Sequence, residues 1–259
     1  MTAMPAPTFS ATGTARAEVN DAALGALLYR NDAPDGTEDL LPPQPDLWAV
    51  APALGRFLSR VIVERRVRNL LEFGAGSSSV ISAHALSMIG GGRLTSLEAH
   101  PEWCAERWAR VERHRDVDAR LVGSSLALRV DRCGVRYEYA QAAGALPGRG
   151  PFDFVLVDGP PWFYGRDGAM HSAIAHLAPG AIVVVDDAAR QGERRTVVRW
   201  LRTFPGLHMA AYDPGIGRGI AVLTFDGNAE RVPNAAIALR TLPEAAALAW
   251  RRRRETAAH

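Results

Sequence analysis

Residues 71–80 read LEFGAGSSSV, and they carry the clearest structural signal in the sequence. The residues before Gly74 continue an apolar run of the kind found in strands that are covered on both faces. The residues after Gly76 begin a predicted helix. Glycine at such a turn permits a positive φ and a close approach of the backbone to a ligand, and the free amides of the helix N-terminus are hydrogen-bond donors. The stretch therefore predicts a strand–turn–helix unit that binds a ligand at its turn.

The sequence on both sides of this stretch alternates between apolar runs and helical segments. This alternation is typical of a parallel sheet with crossover helices. The predicted strands are 69–73, 93–98, 118–122, 152–157, 181–185, 207–212 and 219–225. The predicted helices are 21–30, 47–66, 77–89, 101–114, 167–178, 190–203 and 233–254. The predicted organisation is a flexible leader and N-terminal extension (1–46), a ligand-binding domain (47–226), and a C-terminal loop and helix (227–259).

Composition excludes several classes of protein. Of the 259 residues, 47% are hydrophobic, which is enough for a real core, and the formal net charge of +2 argues against a nucleic-acid or anionic-membrane partner. The basic run Arg251–Arg254 is typical of a solvated helix end. Cys104 and Cys133 lie far apart without CxxC spacing, which argues against a disulfide scaffold or a zinc site and fits a reducing cytoplasm. Signal-peptide features and bilayer-spanning apolar stretches are lacking.

Two acidic residues flank the predicted turn. Glu72 comes just before it, where a carboxylate can reach a cationic group, and Glu98 ends the next predicted strand, where an acid can accept hydrogen bonds from a ribose diol. A dinucleotide-binding fold would have a third glycine where Ser79 stands, so the sequence argues against NAD. A nucleotide-free domain in which Glu98 only caps a helix remains an alternative.

Four stretches in this order resemble the motifs of class I S-adenosylmethionine-dependent methyltransferases. They are LEFGAGSSSV, SLEAHPEW, FDFVLVDGPP and APGAIVVVDDAARQGE. The resemblance covers about residues 47–226 and is greatest to a small bacterial group with a DGPP turn after the fourth strand and a DDA turn after the fifth. It implies an α/β fold, namely a Rossmann-like, seven-stranded, mostly parallel sheet with helices on both faces. It also implies S-adenosylmethionine as the cofactor.

The resemblance assigns roles to individual residues around this cofactor. Glu72 and the glycine turn would lie near the methionine moiety, Glu98 would hold the ribose hydroxyls, and the serines after the third strand would flank the adenine. The implied cofactor-binding set is Glu72, Gly74, Ala75, Gly76, Ser77, Ser78, Glu98, Ala99, His100, Ser124, Ser125, Asp158 and Gly159. His100 precedes a proline and fits a plain helix N-cap better than a ligand contact.

Three carboxylates follow neighbouring strands of the predicted sheet. Asp158 comes after FDFVLV, and Asp186 and Asp187 come after AIVVV. The carboxyl ends of parallel strands meet at one edge, so we expect these side chains to converge, and like charges in one cleft need a neutralising partner. The arrangement resembles the metal-dependent O-methyltransferases of the catechol and natural-product sugar types. That resemblance implies magnesium bound by all three carboxylates and by the acceptor. In the alternative interpretation, one of the Asp pair caps the following helix.

The residues after Asp158 bear on the kind of methyl acceptor. Amino-methyltransferases place Pro-Pro and an aromatic residue directly after Asp or Asn, whereas Gly159 intervenes here, which favours O- over N-methylation. Residues 162–166 are predicted to form a mobile loop over the acceptor, with Gly165 and Gly168 as hinges. His171 on the next helix completes a predicted catalytic set with Asp158 and Asp186, although packing is the commoner role for such a histidine.

The predicted function is therefore O-methylation of a small hydroxylated metabolite, such as a sugar or secondary metabolite. The alternatives are an N-methyltransferase, an NAD-dependent oxidoreductase and a domain that binds S-adenosylmethionine without turnover. Acceptor pockets are built from variable loops, so the sequence does not identify the acceptor, and it leaves a homo-oligomer open.

Overall fold

The computed structural model describes residues 17–42 and 49–258, with side chains up to residue 250. Its strands are β1 (Glu18–Val19), β2 (Asn69–Phe73), β3 (Gly92–Glu98), β4 (Val117–Gly123), β5 (Leu126–Asp131), β6 (Gly134–Tyr139), β7 (Phe152–Val157), β8 (Leu177–Val185), β9 (Leu207–Asp213) and β10 (Ile220–Phe225). Its helices are α1 (Ala22–Tyr29), α2 (Pro52–Glu64), α3 (Ser77–Met88), α4 (Pro101–Val111), α5 (Ala142–Ala145), α6 (Gly168–Ala173), α7 (Gln191–Thr203) and α8 (Ala235–Ala258). Short 3-10 helices cover Glu38–Leu40 and Ile174–His176.

Eight strands form one sheet in the order β1-β9-β10-β8-β7-β2-β3-β4. Strands β2, β3, β4, β7 and β8 run parallel, and β10 lies antiparallel between β8 and β9. Strand order reverses between β2 and β7, which is where ligands bind in open α/β sheets. All seven predicted strands are present and the predicted fold class is confirmed. The eighth strand, β1, is a two-residue addition that pairs with β9 at the edge.

Helices cover both faces of this sheet. Buried residues of α1, α2, α3 and α4 form the core on one face, and those of α5, α6 and α7 form the core on the other. The middle strands are apolar nearly throughout because both of their faces are covered. Within residues 17–42 and 49–258, none of the helices combines the length and the apolar character needed to cross a lipid bilayer.

The N-terminal extension is partly integrated into the fold. Asp21 caps α1 by accepting hydrogen bonds from the amides of Ala23 and Leu24, and the buried leucines of α1 join the same core as α2. The predicted helix 47–66 begins only at Pro52, since proline is favoured in a first helical turn. The predicted flexible leader falls largely on residues 1–16, outside the described residues, as do residues 43–48.

Two elements differ from the sequence prediction. Strands β5 and β6 form a separate hairpin that was not predicted, and α8 packs on it through Thr241, whose Oγ1 accepts a hydrogen bond from the Val135 amide at 2.8 Å. The predicted helix 167–178 ends early, because the chain turns through a 3-10 helix and joins β8 at Leu177. The predicted strand 181–185 is longer than expected, because β8 begins at Leu177 and runs through the exposed residues Pro179 and Gly180.

Candidate cofactor and acceptor site

The glycine turn after β2 packs against the turn after β7. Gly74 has a φ of +91°, and a Cβ at this position would lie 2.7 Å from the Gly159 nitrogen. A Cβ on Gly159 would in turn lie 2.7 Å from the Gly74 Cα. Glycine is therefore required on both sides of this contact. Gly76 differs, because a Cβ there would meet nothing within 4 Å, so this end of the turn faces open space.

Glu72 lies beneath the turn and holds it in place. Its carboxylate is fully buried and accepts hydrogen bonds from the hydroxyls of Ser78, Ser79 and Ser96. Burial raises the pKa of Glu72 to about 7. The structure thus corrects the expectation that Glu72 reaches towards a ligand cation, because three hydroxyls already occupy the carboxylate. Ser79 also accepts from the Gly76 amide at 3.0 Å, which gives a structural reason for a serine in place of a third glycine.

The remaining residues of the turn support it in similar ways. Ser77, predicted to bind the cofactor, accepts a hydrogen bond from the Val50 amide at 3.1 Å and ties the start of α3 to the segment before α2. Ser78 is buried and bound to Glu72, so its hydroxyl is likewise engaged within the protein. The backbone of the turn, rather than its serine side chains, is left to face a ligand.

Glu98 lies at the carboxyl end of β3 and is held by two backbone amides. One carboxylate oxygen accepts from the Ala75 amide at 2.9 Å and the other from the His100 amide at 2.8 Å. Each oxygen has a further lone pair, so this geometry suits the predicted contact with a diol. Ala99 packs against the core, and the ring of His100 stacks on Trp103 with centroids 4.2 Å apart. His100 occupies the N-cap position of α4, but its side chain makes no capping bond.

The segment after β4 places two predicted residues beside Glu98. The Ser124 amide donates to the backbone oxygen of Glu98 at 2.8 Å, and its hydroxyl donates to Gln141 at 2.7 Å. The backbone oxygen of Ser125 accepts from the Ala140 amide at 2.8 Å. These bonds hold the end of the hairpin against the end of β3.

Tyr139, at the end of β6, borders the two glycine turns and was not among the predicted site residues. Its hydroxyl is buried without a hydrogen-bond partner among the described residues. That oxygen would lie 2.8 Å from a Cβ on Gly159, so it borders the contact between the two glycine turns. An unpaired buried hydroxyl is costly and often marks a ligand contact. Because the hairpin was not predicted, nothing in the sequence pattern pointed to this position.

The three predicted carboxylates meet at the carboxyl edge of β7 and β8. One oxygen each from Asp158, Asp186 and Asp187 lies within 4.8 Å of the others, which confirms the expected convergence. Asp158 is the outermost, with 21% of its side chain exposed, against 2% for Asp187. Burial and the two neighbouring carboxylates raise the pKa of Asp186 to about 8, and burial also raises the pKa of Asp158.

A buried guanidinium that the sequence prediction overlooked neutralises much of this charge. Arg166 donates to Asp187 at 2.8 Å, to Asp158 at 3.2 Å and to the backbone oxygen of Asp186 at 2.6 Å. Asp187 also binds Arg190 at 2.9 Å and the Nε of Arg218. Asp187 therefore does not cap α7, whose N-cap residue is Arg190.

These contacts test whether the cluster suits magnesium. Carboxylate oxygens are the ligands that magnesium prefers, at about 2.0–2.1 Å. Both oxygens of Asp187 are already bound by guanidinium groups, and an Arg166 nitrogen lies between Asp187 and Asp158. With Arg166 in this position, the residues present do not fit a magnesium ion held by all three carboxylates.

The loop after Asp158 is fixed at its far end. Arg166 and Asp167 are buried, and Trp200 donates through Nε1 to the backbone oxygen of Asp167 at 2.9 Å. A Cβ on Gly168 would lie 2.1 Å from the backbone oxygen of Tyr137, so this glycine permits close packing rather than hinge motion. Trp162 is 38% exposed. Motion over the acceptor is therefore expected only in the first half of the predicted loop.

His171 packs away from the carboxylates. Its ring meets Phe204 edge-on with centroids 5.0 Å apart, and its charged neighbours are Asp167, Arg136, Arg231 and Asp131. Burial lowers the pKa of His171 to about 4. The proposed base role is not supported, because the structure gives this residue the packing role that is commoner for a histidine.

Comparison with known proteins bears on the class of enzyme. Residues 71–188, which are less than half of the chain, match the model of a family described as a methyltransferase domain. No curated protein sequence matches the chain. The match confirms the class of enzyme that the four motifs predicted.

Solved structures share the fold of this chain. An O-methyltransferase from Bacillus cereus, solved in complex with S-adenosylhomocysteine, has a TM-score of 0.52 and 20% identity over 79% of this chain and 97% of its own. The O-methyltransferase TomG from Streptomyces achromogenes, solved with S-adenosylmethionine, has a TM-score of 0.51 and 23% identity over 80% and 96%. The methyltransferase PaMTH1 from Podospora anserina has a TM-score of 0.56 and 14% identity over 78% and 94%. These identities are low, so the likeness concerns the fold.

Proposed function

We propose that the methyltransferase domain transfers the methyl group of S-adenosylmethionine to a hydroxyl oxygen of a small metabolite, such as a sugar or secondary metabolite. The observation that carries this proposal is the pairing of two features at the switch point. Glu98 is held at the end of β3 in a geometry that suits a ribose, and Asp158 ends the strand on the other side of β2. The cofactor complexes of the two O-methyltransferases described above support this cofactor, and their description as O-methyltransferases supports a hydroxyl acceptor.

The cofactor extends from the glycine turn to the end of β4 in this proposal. Glu98 would accept hydrogen bonds from the ribose hydroxyls, and the backbone of residues 74–76, where Gly76 leaves open space, would line the methionine part. Ser124 and Ser125 would flank the adenine, and the unpaired hydroxyl of Tyr139 would be available to the ligand. The cofactor is thereby bound by backbone and by neutral or acidic groups.

The acceptor binds at the carboxylate edge. Methyl transfer is an in-line displacement in which an oxygen–carbon bond forms as the carbon–sulfur bond breaks and S-adenosylhomocysteine leaves. The proton of the acceptor hydroxyl passes to a protein carboxylate, and Asp158 suits this role because it is the most exposed of the three.

Cys104 and Cys133 are both free and buried, which supports the proposed cytoplasmic location.

Two measurements test this function. Calorimetric titration with S-adenosylhomocysteine and with NAD should show binding of the first ligand only, and the reverse result would favour an oxidoreductase. Incubation with methyl-labelled S-adenosylmethionine and matched sets of hydroxylated and amino compounds should then label the hydroxylated set. Labelling confined to amines would support N-methylation. Binding of S-adenosylhomocysteine without any labelling would support a non-catalytic domain.

A further inference from the structure

Guanidinium groups lie against the acidic edge of the methyltransferase domain. Arg166 pairs with Asp158 and Asp187, and Arg190 and Arg218 pair with Asp187. Asp186 contributes its backbone oxygen, which accepts from Arg166. Like charges in a buried cleft require a neutralising cation, which can be a metal ion or a side chain. Here arginine side chains supply the positive charge.

Arg166 occupies the centre of this arrangement. One of its terminal nitrogens contacts carboxylates from the ends of two adjacent strands, Asp158 after β7 and Asp187 after β8. Its other terminal nitrogen donates to the backbone of Asp186. A planar fork can bridge several acceptors in fixed directions, as a coordinated cation does. An ion placed between Asp158 and Asp187 would coincide with this nitrogen.

Neighbouring contacts make displacement of Arg166 costly. The residue is 3% exposed, and its backbone oxygen accepts from the Ala169 amide at 3.2 Å. The adjacent Asp167 is tied to Arg199 at 3.3 Å and to Trp200. An exposed arginine can move into solvent when a metal ion binds. Arg166 would instead have to leave a buried position, and Asp187 would lose one of its guanidinium partners.

We infer that the guanidinium of Arg166 is the resident cation of the acceptor site and takes the place of a divalent metal ion. Arg166 is a positioning residue that fixes Asp158 and Asp187 and balances their charge. The methyltransferase domain therefore binds its ligands and turns over without magnesium. The catalytic part of this inference rests on the proposed function, whereas the cation-binding part does not.

Direct metal binding provides the test. Wild-type protein titrated with manganese(II) alone, followed by calorimetry and electron paramagnetic resonance, should show no saturable site. Arg166→Gln removes the charge and frees Asp158, so manganese affinity should rise at least about tenfold. Arg166→Lys keeps a positive charge and should bind manganese no better than wild type. Arg190→Gln is the matched control, because Arg190 is more exposed and contacts Asp187 but neither of the other two carboxylates within the described structure.

Several outcomes would overturn the inference. One is a stoichiometric manganese site in the wild-type protein that disappears in Asp186→Asn. Another is a folded Arg166→Gln protein that binds no manganese. If that variant fails to fold, the wild-type titration still decides. Titration of the same samples with S-adenosylhomocysteine tests the proposed cofactor separately, since Glu98 lies on another strand. Once an acceptor is found, turnover should be unchanged by EDTA, and loss of turnover restored by magnesium would refute the catalytic part.

Discussion

On the β2–β3 side of the switch point, Glu72 and Glu98 are held by serine hydroxyls and backbone amides. On the β7–β8 side, Asp158 and Asp187 are held by guanidinium groups. Neutral donors orient a carboxylate without neutralising its charge, and of the two only Glu98 is placed to meet a ligand, whereas guanidinium groups neutralise the carboxylates that they contact. The β2–β3 side is thus suited to bind polar groups of a cofactor. On the β7–β8 side, the carboxylate charge is offset by arginine side chains before any ligand binds.

The largest effect is expected where the two sides touch. Gly74→Val should lower the free energy of unfolding by about 5 kcal/mol or prevent folding, because a β-branched residue at positive φ would also collide with Gly159. Gly76→Ala places a methyl group in open space and should unfold as the wild type does. Urea denaturation of both variants measures this difference. Equal stability of the two variants would contradict the backbone contact between the turns.

Asp187 should matter more for stability than Asp158. Asp187→Asn leaves three guanidinium groups around a neutral side chain, so the free energy of unfolding should fall by about 3–4 kcal/mol. Asp158→Asn affects a partly exposed carboxylate with one such contact and should cost less stability but more turnover. Denaturation and methyl-transfer assays of both variants separate the roles. Reversed stability losses would show that Asp187 is not the anchor.

Glu72 should impose a pH dependence on stability. Its folded-state pKa is raised from 4.5 to about 7, so between these values the folded protein binds more protons than the unfolded chain. Stability should therefore fall as the pH rises from 4.5 to 7, and Glu72 should account for about 3 kcal/mol of the decrease. Glu72→Gln should remove that share and flatten the curve. Parallel curves for wild type and variant would mean that Glu72 titrates normally.

The contrast between the two sides also explains what could be predicted from the sequence. The donors to Glu72 and Glu98 all lie within GAGSSS and SLEAH, so two short motifs contain one side of the site. Arg190 stands only three residues after Asp187, but Arg166 and Arg218 are distant in sequence, and only the folded chain brings these two to Asp187. The carboxylates were recognisable because each ends a strand. Their partners were not, since an arginine in a loop or helix carries no periodic signal.

Glu98 should govern cofactor affinity with little effect on the acidic edge. Glu98→Ala removes a charged acceptor of two proposed ribose hydrogen bonds and should weaken S-adenosylhomocysteine binding by about 2–3 kcal/mol. Glu102→Ala is the matched control, because that side chain is 63% exposed on the following helix. Calorimetry on both variants gives the comparison. Unchanged affinity in a folded Glu98→Ala protein would remove the ribose assignment.

The smallest effect concerns Tyr139, which lies beside the junction of the two sides. Its hydroxyl has no partner among the described residues, so Tyr139→Phe should leave the stability of the ligand-free protein unchanged or slightly raised. If the hydroxyl completes the cofactor site, S-adenosylhomocysteine affinity should fall by about 1 kcal/mol. Tyr137→Phe, on the same strand with its ring against Tyr164, should leave that affinity unchanged. Thermal unfolding and calorimetry together decide the point, because a structural hydroxyl would change stability and a ligand-binding one would change affinity alone. A variant with both quantities at wild-type values would place the Tyr139 hydroxyl outside the cofactor site and leave the end of β3 as its main polar anchor.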